Sequence, residues 1–115
     1  MKEKIKQTIL ELLKKNSDYS FSELISDLEN IDIQAKGDRV LYLKENLIIW
    51  ENCTTDFNNA IIELINADKI TLHPLSQSKA ELVYAFGGVI PDIPVADRIE
   101  KYVSPHWMPT IIKLK

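Results

Sequence analysis

The sequence contains little cysteine, glycine or histidine, and each shortage excludes a class of site. Its 115 residues include one cysteine, three glycines and two histidines. A single cysteine, Cys53, permits neither an internal disulfide nor a cysteine-based metal site, which fits a reducing cytoplasm. Gly87-Gly88 has neither a G-x-G-x-x-G nor a G-K-[ST] context, so it predicts a turn and not a phosphate loop. The first residues contain no unbroken apolar run, and we expect neither a signal peptide nor a membrane span.

The rest of the composition is that of an ordinary globular protein. Apolar residues make up 45% and charged residues 27% of the chain, which is typical of a folded domain and unlike a disordered tail. This length suits one domain better than two. We therefore predict a single domain over residues 1–115, with a helical core and wing over 1–86 and a C-terminal extension over 87–115.

Charge is unevenly distributed along the chain. The net charge of −3 is the balance of +3 over residues 1–16, −8 over residues 17–68 and +2 over residues 69–115. Basic segments attract polyanions and acidic segments repel them. We expect the two ends to face nucleic acid and the middle to face protein.

Helical spacing and capping residues predict the first two helices. Apolar residues recur at helical spacing over Lys2–Lys15, with no glycine or proline. Ser20 and Glu23 have the spacing of a capping box for a second helix that ends near Asn30, although Ser22 is an alternative cap. The sequence thus predicts two helices before residue 31.

The next segments combine strand and helix patterns. Leu47–Trp50 is an apolar run typical of a buried strand, whereas Val40–Leu43 fits a helix or a strand. A third helix, capped by Thr55 or Asp56, is predicted to extend to Asn66. "KITLHPL", the polar turn "SQSK" and "AELVYAF" then read as two strands of a wing. This order predicts an α+β fold, a winged helix-turn-helix with a C-terminal extension that ends in a short strand.

Two segments of the C-terminal extension have recognisable sequence patterns. "PVADRIEKY" has the spacing for one or two helical turns, and "TIIKLK" alternates Ile112 and Leu114 with lysines, as a strand does. An exposed Trp107 would be a stacking platform or an interface hot spot. The alternation after it favours a buried Trp107 that anchors the tail, so that "TIIKLK" adds a strand to a sheet edge, where lysines are common.

Several segments together resemble a known group of proteins. "NLIIWENCTTDFNNAIIELINADKITLHPLS", "YAFGG", "IPDIPVADRIEKY" and "PHWMP" look like parts of small winged-helix-like proteins carried by phages, plasmids and genomic islands. More narrowly, the chain resembles the small partner protein encoded beside a primase-like A-family polymerase on mobile resistance cassettes. The resemblance covers about residues 46–112. It implies binding of single-stranded DNA and complex formation with the polymerase.

Candidate binding residues follow from charge and aromatic neighbours. Single-stranded DNA needs cations along the backbone and rings on which bases stack, and Tyr102 and Trp107 lie near basic residues. The predicted nucleic-acid-binding residues are Lys2, Lys4, Lys6, Lys79, Arg98, Lys101, Lys113 and Lys115. The third helix contains no lysine or arginine, which disfavours reading of a duplex groove. Its polar residues Asp56, Asn59 and Glu63 are predicted to contact a protein partner.

No catalytic or metal-binding arrangement is evident. His73 and His106 have no carboxylate or cysteine at a ligand or triad spacing. Cys53 is typical of a small buried residue, although a reactive thiol is the alternative. We therefore predict no enzyme activity and no cofactor. The alternatives to a DNA-binding accessory protein are a protein-interaction adaptor or inhibitor that binds no nucleic acid and, third, a dimeric transcription repressor.

Overall fold

The first helix of the computed structural model has the predicted bounds. The structure describes residues 1–16, 18–75, 93–96 and 98–115. Helix α1 extends over Lys2–Lys15 and buries Ile5, Ile9 and Leu13. These apolar residues recur every four positions and form one face, because a helix makes a turn in 3.6 residues. This face attaches α1 to the core.

A capping box starts the second helix, as predicted. Helix α2 covers Phe21–Asn30. The backbone N–H of Glu23 donates to the Ser20 hydroxyl at 3.1 Å, and the backbone N–H of Ser20 donates to the Glu23 carboxylate at 3.2 Å. Ser20, and not Ser22, is therefore the cap. Two backbone donors at this helix end are satisfied reciprocally.

A β-hairpin follows α2 and resolves the alternative at Val40–Leu43 in favour of a strand. Strand β2 covers Lys36–Lys44 and strand β3 covers Leu47–Cys53, and the two are antiparallel. Asn46 turns the chain with a φ of 57°, a left-handed conformation that asparagine tolerates better than most residues. The predicted strand at Leu47–Trp50 is confirmed.

The third helix is present, but neither of its two predicted caps, Thr55 or Asp56, is the N-cap. Helix α3 covers Thr55–Asn66, and its N-cap is Thr54, whose hydroxyl accepts from the backbone N–H of Phe57 at 3.1 Å. Thr54 and Thr55 are chemically identical, so the sequence pattern could not separate them. The difference lies in the backbone, where Thr54 is extended and Thr55 already helical.

The C-terminal strand lies in the middle of a sheet. Strands β1 (Tyr19–Ser20), β4 (Ile70–Pro74) and β6 (Thr110–Leu114) form a sheet in the order β1-β6-β4, with both neighbours antiparallel to β6. The expectation of an edge strand was therefore wrong. Strand β1 pairs with the side of β6 that an edge strand would leave free. The two residues of β1 are too few to show a strand pattern in the sequence.

The second sheet contains the segment around Trp107. Its order is β2-β3-β5, where β5 (His106–Trp107) is parallel to β3. Val95 forms a further parallel bridge with Trp107, and the backbone N–H of Ala96 donates to the Trp107 carbonyl at 2.7 Å. The described residues of "PVADRIEKY" contain none of the helical turns that its spacing allows. The backbone groups of Pro94 and Ala96 bond to Trp107 of β5 instead.

Trp107 anchors the C-terminal segment in the core. Its side chain is 1% exposed, and its indole N–H donates to the Ile49 carbonyl at 3.1 Å. The Trp50 and Trp107 ring centroids are 6.1 Å apart. The prediction of a buried, structural tail is confirmed. Trp107 is accordingly not accessible to a nucleotide base.

The architecture is a compact α+β fold. Its described ranges contain three helices and two small sheets, and the Cα radius of gyration is 13.1 Å, as expected for a compact domain. The second predicted wing strand, residues 80–86, lies outside the described residues, as do Lys79 and the Gly87-Gly88 turn. Among the helices that are described, none has the length and apolar character needed to cross a membrane.

Candidate nucleic-acid interface

Two of the predicted DNA-binding lysines are ion-paired on the surface between α1 and α3. The Lys2 Nζ lies 2.5 Å from Glu63 Oε2, and the Lys6 Nζ lies 3.1 Å from Glu63 Oε1. Lys6 also lies 3.2 Å from a carboxylate oxygen of Glu3, one turn earlier in α1. Hydrogen bonds to Glu63 raise the pKa of both lysines, and the same bonds lower the pKa of Glu63. We call Lys2, Lys6 and Glu63 the α1–α3 ion cluster.

The C-terminal lysines are ion-paired as well. Lys113 lies 3.5 Å from Asp18, and Lys115 donates to Asp68. Antiparallel pairing holds β6 beside β1 and β4, which brings these lysines close to residues that precede β1 and follow α3. Lys2, Lys6, Lys113 and Lys115 are therefore each paired with an acid of the middle segment.

The predicted site residues thus occupy several places. Glu63, expected to contact a protein partner, binds two of the lysines expected to contact DNA. Asp56 and Asn59 are exposed on α3, and Lys4 is exposed on α1. Arg98 and Lys101 are exposed on the loop before β5. The seven of the eight predicted cations that the structure describes do not lie in one patch, and Lys79 lies outside the described residues.

Helix α3 offers little for reading a DNA duplex. The side-chain amide of Asn58 donates to the Val40 carbonyl at 2.9 Å, which attaches α3 to β2. This bond uses a donor that could otherwise face an adenine edge. The exposed Asp56 adds negative charge at the start of the helix, where a phosphate would be repelled.

One group combines two stacked rings with two exposed cations. The Tyr102 and His106 rings are stacked, with centroids 4.1 Å apart and an angle of 22° between their planes. Both residues are half-buried, whereas Arg98 and Lys101 are exposed. No carboxylate within the described ranges lies at ion-pair distance from Arg98 or Lys101. We call Arg98, Lys101, Tyr102 and His106 the aromatic patch.

The hairpin turn between β2 and β3 positions the aromatic patch. The backbone N–H of Tyr102 donates to the Glu45 carbonyl at 3.2 Å, and the Asn46 side chain donates to the Tyr102 carbonyl at 2.9 Å. The backbone N–H of His106 donates to the Asn46 carbonyl at 2.8 Å. Both rings therefore have a fixed backbone beneath them, which lowers the entropy lost when a ligand stacks on them.

His106 has a defined tautomer in this arrangement. Its Nδ1 lies 2.8 Å from the Ser104 carbonyl, which can only accept, so Nδ1 carries the proton. The ring is thereby held against Tyr102, and aromatic rings of this kind are the surfaces on which bases stack.

Lys44 is an exposed cation near the hairpin turn that sequence reasoning missed. It is exposed at the end of β2, where it pairs with Leu47, and Leu47 pairs with His106 across the sheet. Neighbouring strands are about 4.8 Å apart, so Lys44 and His106 lie about 10 Å apart along one row. Tyr42, 48% exposed on the same strand, was also missed. Only the hairpin register, which was ambiguous in the sequence, reveals the proximity of Lys44.

The thiol and the remaining histidine show no catalytic arrangement. Cys53 is buried, its Sγ–H donates to the Arg39 carbonyl at 3.3 Å, and burial raises the pKa of the thiol to about 11. Burial thus keeps the thiol protonated and unreactive. His73 shares a hydrogen bond of 2.9 Å with the Thr71 hydroxyl. In the parts of the chain that are described, no three histidine, cysteine or acidic side chains gather as metal ligands do.

Comparisons with protein-family models, curated proteins and solved structures found no match. The resemblance to small proteins of mobile elements remains a prediction from the quoted segments.

Proposed function

We propose that this chain is a non-enzymatic, cytoplasmic accessory protein of mobile-element DNA replication. In this proposal it binds single-stranded DNA and a primase-like polymerase. The observation that carries the DNA-binding part is the aromatic patch, where a stacked Tyr102–His106 pair lies beside the exposed Arg98 and Lys101. Rings that stack on bases and cations that follow the backbone are the two requirements of single-strand binding.

The winged-helix assignment belongs to the same proposal. A three-stranded antiparallel sheet in the order β1-β6-β4, together with three helices, is compatible with such a fold. In this version the β2–β3 hairpin would be an insertion between α2 and α3, so that no short turn joins these helices. The hairpin insertion would also explain how the aromatic patch gains a rigid base, since it is attached to the hairpin turn.

A protein-interaction module is the second candidate, and one observation favours it. Ile99 is 49% exposed and Val103 fully exposed on the loop that carries Arg98 and Lys101. Exposed apolar residues beside cations suit a protein partner with an acidic and apolar surface. The repressor alternative has less support, because α3 presents Asp56 and uses Asn58 internally.

Binding to a labelled thymidine oligonucleotide at low salt tests the proposal. If Lys44, Arg98 and Lys101 each contact one phosphate, the slope of log K against log salt is about −2 for a single strand. Tyr102→Leu is expected to weaken binding by about 5- to 150-fold, since stacking contributes about 1–3 kcal/mol per base. Tyr102→Phe keeps the ring and serves as the matched control.

The outcomes separate the two candidates. Binding to the single strand that is stronger than binding to a duplex supports the proposal, provided that Tyr102→Leu retains the wild-type circular dichroism spectrum. No binding at low salt contradicts the DNA-binding part and favours the protein-interaction module. Co-purification with a polymerase or primase encoded beside this chain tests the partner separately.

A further inference from the structure

The Glu63 carboxylate binds the ammonium groups of two lysines at once. A phosphate group that contacts both lysines would bind them in a similar way. Each carboxylate oxygen faces a different lysine: Oε2 faces Lys2 at 2.5 Å, and Oε1 faces Lys6 at 3.1 Å. The three side chains come from two helices that pack together, so the arrangement is fixed by the fold. A phosphate group offers oxygens of similar charge and spacing to lysine.

Folding does not require this arrangement. Helix α1 is attached to the core by Ile5, Ile9 and Leu13, which are almost completely buried. The Lys2 and Glu63 side chains are 37% and 39% exposed, and exposed ion pairs contribute little to stability. The α1–α3 ion cluster therefore has a larger effect on the surface potential than on the fold.

The cluster changes which lysines of α1 can meet a polyanion. Lys4, on the same helix, is exposed and has no carboxylate at ion-pair distance within the described chain. Lys2 can contact a phosphate only if it gives up Glu63 or shares it. Lys6 has Glu3 as a second neighbour at 3.2 Å, so Glu63 is one of its two carboxylate partners. Sharing would bring the carboxylate and the phosphate together, and their repulsion opposes binding.

We infer that Glu63 is an internal competitor for phosphate, which occupies Lys2 and Lys6 and weakens the binding of single-stranded DNA and other polyanions to this surface. This inference rests on the proposed function for its natural ligand. It identifies Glu63 as a residue that limits affinity, and it predicts that removal of its charge creates a second cationic surface on α1, in addition to the aromatic patch.

Glu63→Gln and Asp56→Asn form a matched pair of variants for the test. Both remove one negative charge from α3, but Asp56 is exposed and has no lysine at ion-pair distance among the described residues. Glu63→Gln frees Lys2, whereas Lys6 keeps Glu3 at 3.2 Å. One to two additional phosphate contacts would strengthen oligonucleotide binding several-fold at low salt and steepen the salt slope by about 0.7–1.4. Asp56→Asn should change neither quantity to that extent. Adding Lys2→Gln and Lys6→Gln to the Glu63→Gln variant should remove the gain.

Elution from immobilised heparin provides a second readout that does not depend on DNA recognition. Glu63→Gln is expected to elute at higher salt than Asp56→Asn. If wild type binds no oligonucleotide, the proposed function fails, and the heparin comparison still decides whether Glu63 occupies the lysines. Equal elution and equal oligonucleotide affinity of the two variants would overturn the inference.

Discussion

The two small sheets carry lysines and arginines in different electrostatic situations. On the sheet β1-β6-β4, Lys113 and Lys115 are paired with Asp18 and Asp68. On the loop attached to the sheet β2-β3-β5, Arg98 and Lys101 have no such partner among the described residues. The net charge of a sequence segment therefore does not show whether its lysines and arginines are accessible to a ligand. Accessibility depends on which acids the fold brings beside them.

Helix α1 belongs with the first sheet in this comparison. Its Lys2 and Lys6 share Glu63, an acid of the middle segment. At these lysines the segregation of charge along the sequence is reduced by the fold. Mutual neutralisation of paired charges reduces the long-range attraction of a polyanion.

The largest effect on stability is expected from a substitution of Trp107, which anchors the second sheet in the core. Trp107→Ala removes a fully buried ring and its hydrogen bond to Ile49, and should lower the free energy of unfolding by about 3–5 kcal/mol. Chemical denaturation measures this loss. Trp107→Phe, which keeps a ring, should lose less. A Trp107→Ala protein as stable as wild type would contradict a core position for Trp107.

The next effect concerns Cys53 at the end of β3. Burial raises the thiol pKa in the folded state to about 11, from a value of 9.0 when unperturbed. Below pH 9 the thiol is protonated in the folded and the unfolded state, so the full stability is present. As the pH rises from 9 toward 11, the unfolded state releases the thiol proton and the folded state does not. Stability should therefore fall by about 2–3 kcal/mol over this interval, since one pKa unit corresponds to 1.36 kcal/mol.

Comparison with Cys53→Ala isolates this contribution. The variant has no thiol, so the difference in unfolding free energy between the two proteins should shrink or reverse as the pH rises from 9 to 11. The native thiol should also resist alkylation at pH 8 and react only after unfolding. Rapid alkylation of the folded protein would show that the thiol is accessible.

A smaller effect is expected beside the first sheet. Ser20→Ala removes the capping hydroxyl at the start of α2 and should lower the free energy of unfolding by about 1 kcal/mol. Thr54→Ala, which removes the single capping bond of α3, provides the comparison. A Ser20→Ala variant with unchanged stability would mean that the capping box contributes nothing in solution.

Local patterns predicted the helices well. The apolar spacing of α1 and the Ser20–Glu23 box are properties of short segments, and such segments form the same interactions wherever they are placed. Leu47–Trp50 was recognisable as a strand for the same reason. Thr54 was missed because two adjacent threonines offer the same chemistry to the first turn of α3.

Contacts between distant segments could not be predicted in the same way. The two-residue strand β1 has no pattern of its own, and only pairing with Ile111 and Ile112 makes it a strand. Glu63, which pairs with Lys2 and Lys6, and Asp68, which pairs with Lys115, lie more than 40 residues from these lysines. The sequence identified Arg98, Lys101 and Tyr102 as neighbours along the chain, but their attachment to the hairpin turn depends on long-range hydrogen bonds.

One comparison of oligonucleotide affinity tests the central claim most directly. Arg98→Gln with Lys101→Gln, and Lys113→Gln with Lys115→Gln, each remove two positive charges and differ only in location. We predict that the first pair lowers affinity for a single strand at low salt by about tenfold or more, and the second by about twofold or less. Equal losses, or a larger loss from the second pair, would contradict the claim that ion pairing decides which cations bind nucleic acid.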